Sequence, residues 1–214
     1  MKKGLIITVN YNSHQETINY LSSLSKIDQF NYLDIIVADN SSDMTHYYEI
    51  SRFVEENSLK NISLIKMKIN LGYFGAARFI IDNKVSKSTN YEFIVVSNND
   101  IIVKDNNIMG KIFSNINKAD ILAPQIININ NQKNQNPFQK TKYNLKNKLF
   151  HFFYYSSFFV AKFILIIRKV YSNKLNNISN KKEMPIYACH GSFIIFSNSF
   201  FNKGGFIDNN FFLY

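Results

Sequence analysis

FIVVSNND, residues 93–100, joins four apolar residues to four polar ones, and that junction decides the fold. Phe93 to Val96 has the length and the β-branched content of a strand buried on both faces. Ser97-Asn98-Asn99-Asp100 is polar enough to mark where the strand gives way to a loop. The same junction occurs twice more towards the N-terminus. Leu5 to Val9 runs into Asn10-Tyr11-Asn12, and Leu33 to Ala38 runs into the turn Asp39-Asn40-Ser41-Ser42-Asp43. Ile62 to Ile65 is a further apolar run of strand length.

Helix signals fill the gaps. Ser13 and Glu16 have the spacing of a capping box, followed by Ile18, Leu21 and Leu24 at helical intervals. Tyr47 to Glu56 and Ala76 to Val85 read as helices, and Asn70 to Gly75 as a glycine-bearing loop. The resulting order, β-α-β-α-β-α-β, predicts a parallel sheet covered by helices on both faces. Ligands of such sheets bind beyond the carboxyl ends of the strands. Three polar clusters are expected on that one edge.

Beyond residue 118 the pattern loosens. Asp120 to Pro124 and Gln125 to Ile129 read as strands, followed by a polar linker over about 130–148. Leu149 to Ile167 is strongly apolar and aromatic, and a second polar linker covers about 172–183. Ile186 to Cys189 and Phe193 to Phe196 read as strands, Ser199 to Lys203 as a short helix and Gly204-Gly205 as a turn.

Composition bounds the class. The 214 residues suit one sizeable domain with an appended subdomain. With 46% hydrophobic and 15% aromatic residues, wholesale disorder is excluded. A lone cysteine, Cys189, excludes a disulfide within the chain and suits a reducing compartment. Met1-Lys2-Lys3-Gly4 leads into only a short apolar run, which reads as a strand rather than a secretory signal. The net charge of +10 is uneven. Residues 132–182 hold 11 of the 25 Lys/Arg and no Asp/Glu, so the remainder carries 14 basic against 15 acidic residues, a net of −1. The partner of that one segment is therefore anionic.

Several residue types at the strand ends can do chemistry. Asp100 is a hard oxygen donor; with a diphosphate supplying further oxygens it can hold Mg²⁺ or Mn²⁺, or it can simply form an Asx turn. Asp39 can accept hydrogen bonds from a base or ribose, or cap a helix. Thr8, Asn10 and Asn12 offer hydroxyl and amide groups, with the same ambiguity. Gly72 and Gly75 permit close backbone approach, and Arg78 can carry charge towards a phosphate or lie solvated on its helix.

The strings ITVNYNS (7–13), IIVADNSS (35–42), NLGYFGAAR (70–78), FIVVSNND (93–100), ILAPQI (121–126) and HGSFIIFSNSFFNKGGFIDNNFFLY (190–214) occur in an order and spacing that resembles family 2 glycosyltransferases. The likeness is to rhamnosyltransferase-like members with the GT-A fold, over roughly residues 4–126 and 185–214. It implies an α/β architecture: a mostly parallel, Rossmann-like sheet flanked by helices, a smaller acceptor-side subdomain and an apolar basic insert. Residues 1–130 would form the nucleotide-sugar-binding half, 131–184 the insert, and 185–214 the start of the acceptor side.

The resemblance implies transfer of a sugar, with inversion, from a nucleotide-diphosphate sugar to a saccharide or lipid-linked saccharide, in cell-surface polysaccharide or glycolipid synthesis. It places Thr8, Asn10, Asn12, Asp39, Asn70, Gly72 and Arg78 at the nucleotide. Asn98-Asn99-Asp100 stands at the Asp-x-Asp-type metal motif, with Asp100 its remaining carboxylate, and Gly191 and Ser192 line the pocket. An acidic pair containing the general base follows a Phe-Phe-Leu-Tyr-like run in this family, so here the base is expected beyond Tyr214. Asp208 and His190 are the other candidates; Asp208 matches a structural position and a lone His beside glycine is commonly a packed residue.

Leu149 to Ile167 is 19 residues, about the length of a helix through a bilayer. A spanning helix, an interfacial helix on anionic lipid, and a helix packed on protein all fit its composition. A single crossing would put the two halves of the implied site on opposite sides of a membrane. The expectation is a cytoplasmic protein, peripheral on the inner face of the cell membrane. A nucleic-acid-binding role for the basic aromatic insert is disfavoured, because the cations lie outside the strand-end clusters; no nucleic-acid partner is expected.

Overall fold

A computed structural model of the chain describes residues 3–41, 43–85, 91–171 and 183–210. Ser42, the polar linker over residues 172–182 and the Phe-Phe-Leu-Tyr run at 211–214 lie outside the described residues. The chain divides into two compact units, Met1–Pro124 with Gly191–Tyr214, and Gln125–His190.

The larger unit is built on one sheet. Its strands are β1 (Lys3–Asn10), β2 (Leu33–Asp39), β3 (Ile62–Lys66), β4 (Tyr91–Asn98), β5 (Ile121–Leu122) and β6 (Phe193–Ser197), in the order β3-β2-β1-β4-β6-β5. The first four are parallel; β6 runs antiparallel to β4 and β5 antiparallel to β6. The mostly parallel sheet is therefore as expected. Central β1 shows no alternation, because both of its faces are covered: Leu5, Ile6, Ile7 and Thr8 are all fully buried. Gly4 lets the edge of this strand close up, since a Cβ there would stand 2.2 Å from the Phe93 ring.

The helices of this unit are α1 (His14–Leu24), α2 (Met44–Glu56), α3 (Gly72–Lys84) and α4 (Ile108–Asn115), with a short α7 (Asn198–Asn202) after β6. The α1 helix buries Tyr20, Leu21 and Leu24, and the Tyr20 hydroxyl donates to Ser97 Oγ at 2.9 Å. Burial pushes the Tyr20 phenol far above its usual range, more strongly than the Ser97 contact lowers it, so it stays a protonated donor. The α2 helix starts earlier than its apolar pattern predicts because Asp43 caps it, accepting from the Thr45 amide at 2.8 Å. The α4 helix has no counterpart among the sequence expectations: Gly110 and its asparagines mask the buried Met109, Ile112 and Ile116.

Four expectations are corrected. Ser13 precedes α1 but its side chain makes no cap; the hydroxyl bonds instead with Asn10 and Asn99. The stretch 125–129 is no strand. It forms an isolated bridge, Ile127 to Asn134, across a turn that Asn128 Oδ1 holds by accepting from the amides of Asn130 and Asn131. Likewise 186–189 contributes only the bridge of Ala188 to Gln139. Finally, the apolar stretch is two helices, α5 (Leu145–Ser156) and α6 (Phe158–Tyr171), bent by 116°. Ser157 is extended between them, at φ −151° and ψ 134°. Ser156 Oγ bonds back to the Phe153 carbonyl, and the Ser157 carbonyl receives the Ala161 amide that starts α6. No single described helix is long and apolar enough to cross a membrane.

Candidate functional site

The parallel register brings the polar clusters to one edge. Asn10 pairs with Asp39 across β1 and β2, and Val9 pairs with Asn98 across β1 and β4. All three strands therefore stop at the same level. The residues just past each strand are polar because the chain must turn there, and the turns satisfy one another.

The hydrogen bonds run round the edge as a ring. Asn10 Nδ2 donates to Asp39 Oδ1 at 2.7 Å and to Ser41 Oγ at 3.0 Å. The Asn40 amide donates to the Asn10 carbonyl, and Asn40 Nδ2 to the Gly72 carbonyl at 3.1 Å. Gly72 opens α3 with a φ of 70°, and its amide is received by Asn70 Oδ1 at 2.9 Å. One residue on, the Tyr73 hydroxyl donates to the Gly191 carbonyl at 2.9 Å. The Asn98 amide donates to the Ser192 carbonyl at 2.9 Å. Asn99 Nδ2 reaches Ser13 Oγ at 2.6 Å and Thr17 Oγ1 at 2.9 Å, and Thr17 Oγ1 donates to Asn10 Oδ1 at 2.9 Å, which closes the circuit. Asn10, Asn12, Asp39, Asn70, Gly72, Asn98, Asn99, Gly191 and Ser192 thus meet on one edge. Asn12 is exposed with a φ of 52°, its amide donating to Ser41 Oγ.

Asp39 is the electrostatic centre of the ring. Its side chain is wholly buried and accepts from Asn10, from the Ser41 amide and from Lys66 Nζ at 2.9 Å. Burial alone would raise its pKa; the hydrogen bonds from Ser41, Lys66 and Asn10 outweigh it and hold the carboxyl below its usual range. Lys66 also bonds the Ser41 carbonyl. A base or ribose that bonded to Asp39 would have to take over one of these contacts. Thr8 lies beneath, fully buried, with its hydroxyl unpartnered among the described residues.

Asp100 differs in every respect. It is exposed, two residues beyond the end of β4, and makes no hydrogen bond or ion pair among the described residues. No group of three His, Cys, Asp or Glu gathers there or elsewhere among the described residues. A free carboxylate at the strand edge fits one protein ligand to a hard cation whose other oxygens come from a diphosphate.

The remaining candidates are engaged locally. The Arg78 guanidinium binds the Asp82 carboxylate and the Ile207 carbonyl, and lies 5.6 Å from the Phe206 ring centre. Asp208 Oδ1 accepts from both nitrogens of Asn210, holding its own turn. His190 belongs to the smaller unit, where its amide donates to Asn136 Oδ1 at 2.7 Å. Sequence reading put Asn40 in a strand-end cluster without giving it a role, and missed Ser41, Lys66, Thr17 and Tyr73 as members of the site. Asn40 and Ser41 sit inside the quoted Asp-Asn-Ser-Ser string, and Lys66 ends β3 level with Asp39, so strand-end position alone could have found them.

Residues 5–203 match the family model described as "Glycosyl transferase family 2". None of the curated proteins compared with the chain matches it. Among solved structures, the mannosyltransferase PcManGT from Pyrobaculum calidifontis, in complex with GDP-Man and Mn²⁺, aligns at 12% identity and a TM-score of 0.59, over 98% of this chain and 49% of its own. S. aureus TarS 1–349 in complex with UDP-GlcNAc aligns at 21% identity and a TM-score of 0.49, over 61% of this chain and 36% of its own. The chain spans half or less of the length of these structures. The likeness to PcManGT is one of fold, the GT-A arrangement that the sequence motifs imply.

Proposed function

This chain belongs to glycosyl transferase family 2, and from that premise we propose that it moves a sugar from a nucleotide-diphosphate sugar to a saccharide or lipid-linked saccharide hydroxyl, with inversion, in the making of a cell-surface polysaccharide or glycolipid. The observation that carries the reading is the strand-edge ring, which presents a buried, Lys66-paired Asp39 and an exposed Asp100, unpaired among the described residues, on one edge of a parallel sheet. Binding of GDP-Man and Mn²⁺ by a protein of the same fold supports it.

The division of labour rests on the contacts. Asn10, Asn40, Ser41 and Asp39 hold one another by mutual hydrogen bonds, so the nucleoside would meet a preorganised edge on which a base or ribose replaces one of Asp39's contacts. Gly72, in a left-handed conformation, lets the main chain at the start of α3 come close to a ligand. Asp100 would hold Mg²⁺ or Mn²⁺ together with diphosphate oxygens, and the cation would supply neutralisation of charge on the leaving diphosphate. The acceptor oxygen attacks the anomeric carbon as its proton passes to a general base, and the bond to the nucleoside diphosphate breaks with its electron pair on the departing oxygen. Neither Asp208, which holds its own turn, nor His190 is given the part of base. Residues 1–130 form the donor half in this reading, and the residues from 185 onward begin the acceptor side.

The test is to incubate the chain with UDP- and GDP-sugars in the presence of Mn²⁺ and follow release of the nucleoside diphosphate. Release that rises with added saccharide acceptor is expected. Retention on heparin or DNA without any binding of UDP or GDP would contradict the reading.

A further inference from the structure

We propose that the bent helix pair α5–α6 is a membrane-surface anchor, seated in the interface of an anionic lipid bilayer. The helices are unusually bare. Phe152, Phe159 and Phe163 are 68%, 81% and 65% exposed, and Leu145, Tyr155 and Phe158 are each more than 70% exposed. Monomeric soluble proteins rarely leave so many large apolar side chains in water together. They are also ordered along the helices. Leu145, Leu149 and Phe152 stand at i, i+4 and i+7 on α5, and Phe159, Phe163 and Ile166 do so on α6, so each helix carries a continuous apolar stripe.

Geometry chooses between crossing the bilayer and lying on it. The α5 helix has 12 residues and α6 has 14, which at 1.5 Å per residue is ~20 Å each, short of the ~30 Å hydrocarbon core. The 116° bend at Ser157 keeps them from adding end to end. Two short helices set at an angle can both lie in the plane of the interface, each sinking its apolar stripe to the acyl boundary.

Charge identifies the surface. Residues 132–182 contain eleven Lys/Arg and no Asp/Glu. Among them Lys146, Lys148 and Lys162 lie on the two helices, exposed and without an ion-pair partner among the described residues. A partner chain that covered the stripes through apolar contact alone would have no use for this excess of cations. A headgroup layer bearing phosphate and carboxylate answers both features at once.

The whole chain should sediment with vesicles of phosphatidylcholine and phosphatidylserine, less with phosphatidylcholine alone, and be released in part by high salt. Lys146→Gln, Lys148→Gln and Lys162→Gln together should weaken binding to the anionic vesicles roughly tenfold or more and leave the residual binding to neutral vesicles unchanged. Phe152→Ser, Phe159→Ser and Phe163→Ser together should abolish binding to both. These six side chains are exposed, so circular dichroism and thermal unfolding should match the parent. Equal partition to neutral and anionic vesicles would overturn the proposal. So would a parent chain that stays in solution with both, or lipid-free dimerisation lost in the phenylalanine variant, which would assign the stripes to a second copy. Nucleoside diphosphate binding by all variants should be that of the parent, so failure here leaves the strand-edge site standing.

Discussion

At the scale of single residues, two aspartates on one edge have opposite surroundings. Asp39 is buried and answered by Asn10, Ser41 and Lys66, while Asp100 is exposed and has no such partner among the described residues. The depressed pKa of Asp39 fixes a pH signature. Its ionised form is favoured by the folded state, so its stabilisation is complete above the usual aspartate range and is lost as the pH falls through the lower folded value. Asp39→Asn should therefore unfold at lower urea than the parent at neutral pH, and the gap should narrow as the solution is acidified below the usual aspartate range. The sequence placed both carboxylates at strand ends and gave them different roles, but not which one is buried and paired. The difference comes from Lys66, 27 residues along the chain, which only the β2–β3 pairing brings near. Tyr20 was legible only as a helix residue, since its partner Ser97 lies 77 positions away. Tyr20→Phe leaves the buried Ser97 hydroxyl unsatisfied and should cost about 1–3 kcal/mol in equilibrium unfolding.

At the scale of elements, β1, β4 and β6 were legible because burial on both faces writes an uninterrupted apolar run into the chain. Elements whose order comes from side-chain hydrogen bonds were not. Asn128 shapes a turn where β-branched residues suggested a strand, and Ser157 divides what composition presents as one helix. The start of α3 belongs to the same class. Asn70 to Gly75 reads as a loop, yet Gly72 already begins the helix in a left-handed conformation that only glycine adopts at no cost. Gly72→Val should cost about 1–2 kcal/mol of stability and weaken nucleotide binding, because the same residue sets the loop against Asn40. Gly4 makes the parallel point within a strand. Its side of β1 is filled by the Phe93 ring, so Gly4→Val should destabilise by about 1–3 kcal/mol in the same unfolding assay.

At the scale of the whole molecule, charge and function separate. The unit that carries the strand-edge ring is close to neutral by composition, and the cations are gathered in the segment that holds α5 and α6. That separation was visible in the sequence as the one long stretch without an acidic residue. The closed ring was not, because it is assembled from six segments as distant as Asn10 and Ser192, and no local pattern records such a circuit. We propose that Asp100 would give this edge its cation and thereby its hold on a diphosphate. Calorimetric titration of UDP and GDP into the parent and Asp100→Ala, each with and without Mn²⁺, tests it most directly. The account predicts that Mn²⁺ strengthens binding to the parent and that Asp100→Ala, folded as the parent is, loses that gain by ~10²-fold; Mn²⁺-dependent binding that is the same in both proteins would contradict it.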